Sequence, residues 1–390
     1  MSDSEKQNAR KDAHTALVTD IPPILHGYQA IVKYPAPEKR GGEGFLRHLP
    51  AEFPRVRQWG RAAAFLTIYR NSADFMVEWY RSEEEFILPV PREKEGDSPA
   101  MTAIIPEVIS DPRILSERLA ALRRQGKKIG LVPTMGALHD GHLSLVRRSK
   151  ELCDVTVVSI FVNPTQFAPG EDYEKYPRVL DADLARLESV GGVDFVLAPK
   201  PADIYPEGFD AHVHIGGVTR RLEGEFRPTH FDGVALVVLK LFNMSGADLA
   251  FFGQKDYQQA AVIQKMVRDL NLQIGIRVCP IVREADGLAM SSRNKYLSPS
   301  ERAEAPVLKR ALDLARRMIA EGESDADRIK EKMRELIGSA PSSAIDYISI
   351  ADPETLEELE RVGGGAVILL AVKIGSTRLI DNVLIPSDIR

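Results

Sequence analysis

Apolar segments and amphipathic segments alternate along this chain between residues 113 and 281. The segment "DVTVVSIFV", residues 154–162, is almost continuously apolar and rich in β-branched side chains, which is typical of a parallel strand buried on both faces. Residues 113–125 instead place Leu115, Leu119 and Leu122 at helical spacing. Strands that alternate with helices of this length predict an α/β fold with a doubly wound parallel sheet.

The same alternation continues through the rest of this region. Further strands are predicted at "KIGLVPT", "VDFVLAP", "LAFFG" and "IGIRVCPIV", and further helices at about 141–152, at about 178–190, in "GVALVVLKLFNM" and in "YQQAAVIQKMVRDL". After about residue 281 the pattern changes, because two charged helices (about 299–321 and 324–337) precede "IDYISI" and two strands around a Gly-Ser turn. We therefore predict an α/β domain over residues 101–281 and a smaller α+β domain over residues 282–390.

Residues 1–100 differ from the rest of the chain. A polar N-terminal tail leads into a Pro/Gly-rich stretch, and both tryptophans lie in this region. Partial helical spacing of aromatic and aliphatic side chains predicts an amphipathic helix within residues 61–81. The region carries no catalytic constellation, so its role stays unassigned. Three interpretations remain open: an accessory domain, a partly disordered tail with one docking helix, or an upstream segment added by the choice of start codon.

Composition and charge exclude several classes of protein. The formal net charge is −5, from 51 basic and 56 acidic residues, which argues against a protein that coats nucleic acid or an anionic membrane. The two cysteines, Cys153 and Cys279, belong to no CxxC pair, so neither a disulfide framework nor a multi-cysteine zinc site is expected. The sequence has no run of about 18 apolar residues and no secretory core. We expect a cytoplasmic protein with no membrane or nucleic-acid partner.

The segment "PTMGALHDGHLSL" places His139 and His142 after a predicted strand and at the start of a predicted helix. Ligands of open parallel sheets bind beyond the carboxyl ends of the strands, and a helix N-terminus offers free N–H groups to phosphate. Histidines at this point can donate hydrogen bonds to phosphate oxygens, while glycines such as Gly141 let the chain pass close to a nucleotide. Two alternatives stay open: a pair of packed core histidines, or a zinc site, for which nothing in the sequence positions His230 or Cys153 as a further ligand.

Two more segments place polar side chains just after predicted strands. In "FVNPTQF", Asn163 and Gln166 are neutral amides that can hydrogen-bond a hydroxyl or a carboxylate without adding charge; an ordinary turn is the alternative. In "FFGQKDYQQ", Lys255 can reach phosphates as a point charge. Asp256 can bind a ribose hydroxyl or simply cap the next helix, and Gln259 would project from the first turn of that helix toward the same pocket.

The segment "MSSRN", residues 290–294, lies just after the predicted domain boundary. Two hydroxyls and a guanidinium in a loop, from Ser291, Ser292 and Arg293, can form a mobile clamp on phosphates. The alternative is an ordinary polar loop between domains. In "FRPTHF", Arg227 and His230 are further candidates for the border of the same site.

Taken together, these motifs resemble a known family. The His-x-Gly-His element resembles the signature of the HIGH-type nucleotidyltransferase superfamily, and "VPTMGALHDGHLSLVRRSK" resembles the pantoate–β-alanine ligase (pantothenate synthetase) family. The similarity continues, in order, through "VSIFVNPTQFAPGEDYEKYPR", "LEGEFRPTHFDGVALVVLKLFN", "FFGQKDYQQAAVIQKMVRDLN" and "DGLAMSSRNKYLS", and covers about residues 104–386. One departure is Gln254, where the family usually has Glu.

The resemblance implies a Rossmann-like nucleotide- and pantoate-binding domain followed by a C-terminal lid, in a homodimer. It implies a catalytic set of His139, His142, Lys255, Ser291, Ser292 and Arg293. The residues implied at ATP are Met135, Gly141, His142, Gly253, Lys255, Asp256, Met290, Ser291 and Arg293. Those implied at pantoate are Gln166, Gln259, Asn163, Arg227 and His230. The family's acidic cluster is interrupted here by Ala182, which leaves Asp183 as the candidate Mg²⁺ contact.

The implied activity is an ATP-dependent condensation of pantoate with β-alanine through a pantoyl adenylate, with Mg²⁺ carried by ATP. Two alternatives remain. Another HIGH-type enzyme, which transfers a nucleotidyl group to a phosphorylated alcohol, would share the histidines but would not need Gln166 and Gln259. A non-catalytic protein could instead keep the ligase core as a scaffold for a docking or regulatory extension.

Overall fold

A computed structural model describes residues 105–168, 170–363 and 365–387, together with the backbone of strands at 29–32, 65–71, 74–81 and 84–86. The backbone divides the chain into two units, Met1–Ala100 and Met101–Arg390. Among the described residues, no helix is both long and apolar enough to cross a lipid bilayer.

The described part of the first unit is an antiparallel sheet of four strands in the order β1-β2-β3-β4. Its strands are β1 (Gln29–Val32), β2 (Phe65–Asn71), β3 (Asp74–Arg81) and β4 (Glu84–Phe86). The helix predicted within residues 61–81 is therefore wrong. Both halves of that segment are rich in the aromatic and β-branched residues that strands favour, and the two strands pair antiparallel from Phe65–Tyr80 to Asn71–Asp74.

The second unit carries the alternation predicted from the sequence. Its strands are β5 (Glu107–Ile109), β6 (Ile129–Thr134), β7 (Val155–Ile160), β8 (Phe195–Leu197), β9 (Leu249–Gly253), β10 (Gly275–Cys279), β11 (Ser343–Ala351), β12 (Ala366–Ile374) and β13 (Thr377–Ile385). Its helices are α1 (Pro112–Arg124), α2 (Asp140–Leu152), α3 (Leu180–Val190), α4 (Pro201–Ile204), α5 (Glu223–Phe226), α6 (His230–Ser245), α7 (Tyr257–Asp269), α8 (Pro299–Glu304), α9 (Val307–Ala320) and α10 (Ala326–Ile337).

Strands β5 to β10 form one parallel sheet in the order β10-β9-β6-β7-β8-β5. Successive residues of β6 belong to two different hydrophobic cores, one on each face of the sheet. Leu131 shares a core with residues of α1, α6 and α7, whereas Val132 shares the other core with residues of α2 and α3. Helices thus cover both faces, which confirms the doubly wound α/β prediction. The sequence analysis missed β5, because a three-residue edge strand is too short to show a period.

Strands β11, β12 and β13 form a separate antiparallel sheet. One face packs against α9 and α10, while Val367 and Leu369 on β12 join the large core of the parallel sheet. The single helix predicted over about 299–321 is instead two helices, α8 and α9. The break falls at Pro306, because proline has no N–H to continue the hydrogen-bond ladder and its ring clashes with the preceding turn.

Candidate active site

The topology of the parallel sheet places the three polar segments side by side. The order of strands reverses between β6 and β9, which are neighbours although β7 and β8 come between them in sequence. Ligands of such sheets bind in the crevice at this switch point. The histidines lie at the end of the loop from β6 and in the first turn of α2, Lys255 lies in the turn after β9, and Gln166 lies in the loop after β7, next to β6.

These segments enclose a cleft of about 240 Å³. Its walls include every residue that the sequence analysis assigned to catalysis, ATP or pantoate: Met135, His139, Gly141, His142, Asn163, Gln166, Arg227, His230, Gly253, Lys255, Asp256, Gln259, Met290, Ser291, Ser292 and Arg293. Tyr176 also lines the cleft, whereas Asp183 and Gln254 do not appear in its walls. Gln254 Nε2 donates instead to Asn382 Oδ1 in β13, at 3.2 Å.

The two histidines form a contact pair at the start of α2. Their ring centroids lie 4.1 Å apart, and the His139 backbone N–H donates to Nδ1 of His142 at 3.3 Å. A Cβ on Gly141 would lie 2.8 Å from His139 Cε1, so glycine leaves the room that this ring occupies. His139 Nδ1 is buried and has no hydrogen-bond partner among the described residues, unlike a satisfied core histidine.

Burial keeps both rings neutral near pH 7. Burial, reinforced by the Lys255 charge, lowers the pKa of His139 to about 4. Burial, reinforced by His139, lowers the pKa of His142 to about 3. The pair therefore offers hydrogen-bond donors rather than cations. Within the described residues, no group of three His, Cys, Asp or Glu side chains could hold a metal.

Asp183 braces the loop that leads to the histidines. Its Oδ2 accepts the N–H of Ala137 at 2.9 Å, and its Oδ1 accepts the N–H of Leu138 at 2.7 Å. Ala137 has a φ of +50°, a conformation that costs energy for any residue with a Cβ. Both of its oxygens are turned to backbone amides and it is absent from the walls of the cleft, which does not favour its assignment as a magnesium contact.

Lys255 and Asp256 follow β9 and form an ion pair, with 3.4 Å between Nζ and Oδ1. Burial opposes ionisation of Asp256, but the charges of Lys255 and Arg293 outweigh it and lower the pKa of this carboxyl. Asp256 occupies the N-cap position of α7, yet its side chain makes no capping hydrogen bond. Capping alone therefore does not account for this residue. Asn382 Nδ2 donates to the Lys255 carbonyl at 2.9 Å and orders the turn.

Arg227 and His230 hold the loop that follows β7. Arg227 makes a two-pronged ion pair with Glu171, at 2.6 and 2.7 Å, and its Nη2 donates to the Gln166 carbonyl at 3.1 Å. His230 Nδ1–H donates to the same carbonyl at 2.9 Å, so Nε2 is free to accept from Arg227 Nη1 at 3.3 Å. Burial, then the Arg227 charge, lowers the pKa of His230 to about 4, consistent with this neutral tautomer.

The "MSSRN" loop enters the cleft from the C-terminal side. Ser291 Oγ accepts the N–H of Arg293 at 3.3 Å, which caps the 3₁₀ turn Ser292–Tyr296. The Arg293 guanidinium lies 3.3 Å from Asp172 Oδ1. This ion pair is 37% and 27% exposed at its two side chains, so it is weak and can be exchanged for a more highly charged partner.

One ion pair and one hydrogen bond, both to Glu223, join the C-terminal sheet to α5. Arg378 on β13 lies 2.6 Å from Glu223 Oε2 and 2.7 Å from Asp346 Oδ2. Tyr347 on β11 donates to the other Glu223 oxygen at 2.8 Å. Glu223 begins α5, directly before Arg227. The C-terminal sheet and the parallel sheet are therefore connected beside the loop that Arg227 and His230 hold.

Several residues of the site carried no signal in the sequence. Glu171, Asp172, Tyr205 and Asn382 have partners 42 to 128 positions away. The type of a residue and its position next to a turn do not identify partners that lie so far away in the sequence. The order of the strands, which brings the turns together, would have been the only guide.

A family model and several known proteins match this part of the chain. The model described as pantoate-beta-alanine ligase matches residues 107–384. A pantothenate synthetase from Acetivibrio thermocellus is 51% identical over 274 residues, which cover 70% of this chain and 97% of that protein. A second, from Thermodesulfovibrio yellowstonii, is 51% identical over 280 residues, covering 72% and 99%.

Solved structures match over the same region. The crystal structure of pantothenate synthetase from Thermus thermophilus is 45% identical, with a TM-score of 0.67, and the match covers 71% of this chain and 98% of that one. Pantoate-beta-alanine ligase from Francisella tularensis, complexed with beta-gamma ATP and beta-alanine, is 35% identical with a TM-score of 0.59, covering 72% and 97%. With the motifs gathered in one cleft and the family model spanning 107–384, this chain belongs to the pantoate–β-alanine ligase family.

Proposed function

We propose that this chain condenses pantoate with β-alanine to give pantothenate, while MgATP is converted to AMP and pyrophosphate. The observation that carries the proposal is the convergence of the predicted nucleotide and pantoate residues on one cleft at the switch point of the sheet. Two further findings support it: the family membership, and a relative crystallised with ATP and β-alanine ligands.

In the first step, a pantoate carboxylate oxygen attacks the α-phosphorus of MgATP, and the bond to the bridging oxygen breaks to release pyrophosphate. Negative charge moves onto the leaving phosphates, so preorganised donors lower the barrier. His139 and His142 supply neutral N–H donors, while Lys255 and Arg293 supply positive charge. Their present partners, Asp256 and Asp172, are single carboxylates that a triphosphate can displace. Ser291 and Ser292 complete the clamp.

The remaining lining residues position the two substrates. Gln166 and Gln259 orient pantoate so that its carboxylate faces the α-phosphorus, and holding reactants in line is a large part of catalysis. Met135, Gly141, Gly253 and Met290 line the cleft where the nucleotide passes close to the backbone. Asp256 is available to a ribose hydroxyl once Lys255 turns to phosphate.

In the second step, the amine of β-alanine attacks the acyl carbon of the adenylate, and the acyl–oxygen bond breaks to release AMP and a proton. No protein nucleophile is required, and neither Cys153 nor Cys279 lines the cleft. The mixed anhydride reacts readily with water, so we assign residues 282–390 the role of a lid over residues 101–281. The Arg378–Glu223 ion pair is one of the contacts that attach residues 282–390 to residues 101–281.

Mg²⁺ enters this scheme as part of the substrate. Asp183 is engaged with backbone amides and Glu171 with Arg227. Because Mg²⁺ keeps several waters and binds substrate phosphates readily, we propose that ATP carries it in. We also propose a homodimer that works in the cytoplasm, with residues 1–100 as an extension outside the ligase core.

Oxygen transfer tests the proposed pathway. Pantoate labelled with ¹⁸O in its carboxylate should deliver one labelled oxygen to the phosphate of AMP, because that oxygen forms the bond to phosphorus and leaves with AMP. Mass spectrometry of the AMP measures this. Unlabelled AMP, or pyrophosphate exchange into ATP without pantoate, would contradict the proposal and favour a different nucleotidyl acceptor.

A further inference from the structure

Tyr205, which follows α4, is connected to the cleft residue Gln166 by hydrogen bonds through Asn163. Its hydroxyl donates to Asn163 Oδ1 at 2.8 Å. The ring packs edge-on against Phe209, with 5.4 Å between centroids, and the ammonium of Lys240 lies 5.7 Å from its centre. These contacts hold the ring independently of the hydroxyl. Tyr205 itself is not part of the cleft wall.

The orientation of the Asn163 amide is determined by backbone groups. Its Oδ1 accepts the N–H of Thr165 at 3.3 Å, and its Nδ2 donates to the carbonyl of Gly233 at 3.2 Å. A backbone N–H can only donate and a carbonyl can only accept, so the amide cannot be reversed. Asn163 is 1% exposed. It therefore has no hydrogen-bonding capacity left for substrate and supports its neighbours instead, which revises its assignment as a pantoate contact.

The orientation of the Gln166 amide follows from Asn163. The second N–H of Asn163 Nδ2 points at Gln166 and requires an acceptor there, so Gln166 Oε1 lies at 3.1 Å. Gln166 Nε2 consequently faces the other way and lies 3.0 Å from the Met135 sulfur. A thioether is a weak acceptor, so a stronger one can displace it. Gln166 thus presents N–H donors, and not its carbonyl, to the cleft.

We infer that Tyr205 is a positioning residue which, through Asn163, holds the Gln166 amide with its N–H groups toward the cleft. The substrate group at Gln166 must then be an oxygen acceptor, a carboxylate or a hydroxyl oxygen, and not a donor such as an amine. The inference rests on the proposed function and adds to it the polarity of the subsite and a residue that stabilises this polarity. Asn163 Oδ1 also accepts the Thr165 hydroxyl at 3.0 Å, so the Tyr205 hydroxyl acts as an additional donor that stabilises the orientation of the Asn163 and Gln166 amides.

The substitution Tyr205→Phe removes the hydroxyl and keeps the ring contacts. We expect the KM for pantoate to rise about three- to tenfold, the effect of losing one orienting hydrogen bond, with the KM for ATP unchanged. Tyr257→Phe is the matched control, because the Tyr257 hydroxyl donates to the Pro353 carbonyl at 2.9 Å, away from these amides. It should leave both KM values at the parent level.

A double-mutant cycle separates positioning from a general structural effect. If Tyr205 acts through Gln166, Tyr205→Phe should change pantoate affinity in the parent but add nothing in a Gln166→Ala background. Asn163→Asp is a second probe, because it places an oxygen opposite Gln166 Oε1 and should weaken pantoate binding tenfold or more. Calorimetric titration with pantoate provides the affinities even where turnover is low.

Each outcome decides a separate point. A parent enzyme that turns over pantoate, with an unchanged KM in Tyr205→Phe, would overturn the inference and leave the function intact. An equal loss in the parent and Gln166→Ala backgrounds would also overturn it. A parent chain that neither binds nor turns over pantoate would overturn the proposed function itself.

Discussion

The imidazole rings of His139 and His142 lie 4.1 Å apart, and His142 Nδ1 accepts the backbone N–H of His139. Because Nδ1 is the acceptor, the proton of the neutral His142 ring is on Nε2. The His142 ring is therefore held in a defined tautomer before any ligand arrives. A donor that is already oriented needs no reorganisation when charge develops on a phosphate oxygen.

The first prediction concerns this donor. His142→Ala should lower the rate of adenylate formation by about 10²–10³, the cost of removing one preorganised donor, while the fold stays intact. Pyrophosphate release with MgATP and pantoate measures the rate, and the melting temperature reports the fold. His212→Ala is the control, because this histidine side chain is 87% exposed and lies outside the cleft. Near-normal turnover in His142→Ala would refute the phosphate role.

The second prediction concerns pH and stability. Burial lowers the pKa of His142 to about 3 in the folded chain, against about 6.5 when unfolded. Between these two values the His142 ring is protonated in the unfolded chain but neutral in the folded chain. The contribution of this ring to the free energy of unfolding is therefore fully present above about pH 6.5 and is lost as the pH falls. Urea unfolding measures the free energy of unfolding at pH 7 and at pH 5. Its decrease between the two pH values should be smaller by about 1–2 kcal/mol in His142→Gln than in the parent. Equal losses in the two proteins would contradict a buried neutral ring.

The third prediction concerns Asp183. Each carboxylate oxygen of Asp183 now accepts one backbone N–H. In Asp183→Asn, an NH₂ group replaces one of these oxygens, so the N–H of Ala137 or that of Leu138 loses its acceptor. We expect a loss of about 1–3 kcal/mol in the free energy of unfolding, and lower turnover because the loop carries His139. The Mg²⁺ concentration for half-maximal activity at saturating ATP should not change. Unchanged stability with a tenfold higher Mg²⁺ requirement would restore the metal assignment.

The fourth prediction concerns residues 1–100. The family model begins at residue 107, and the four relatives named above are matched over at least 97% of their length without this extension. A chain that starts at Met101 should therefore keep its turnover within about twofold of the full chain, since every cleft residue is retained. Steady-state kinetics of both forms measure this. A tenfold or larger loss would place the extension in contact with the catalytic core or with its assembly.

The parallel sheet could be predicted from the sequence because strands that are buried on both faces are continuously apolar. Runs such as residues 155–160 have few alternatives to a central strand, and the helices between them show a helical period. Residues 1–100 contain no comparable sequence pattern. A few aromatic side chains within residues 61–81 matched a helical spacing by coincidence, while the β-branched and aromatic composition of the segment favoured strands.

The composition of the site could be predicted, but the tasks of individual side chains could not. Asp183 and Asn163 both follow the pattern expected of ligand-binding residues, yet one braces Ala137 and Leu138 and the other orients Gln166. Their partners depend on where turns from different strands meet. A sequence specifies the type of polar group, whereas only the packed structure specifies which of its atoms remain available to substrate.

The central claim is tested most directly by AMP release from the purified full chain with MgATP and D-pantoate, with and without β-alanine. The account predicts AMP and pantothenate in equal amounts over many turnovers when both substrates are present, and at most one equivalent of bound adenylate when β-alanine is omitted. No AMP in the presence of both substrates, despite measurable ATP binding, would contradict it. Sustained AMP release without pantoate would contradict it as well.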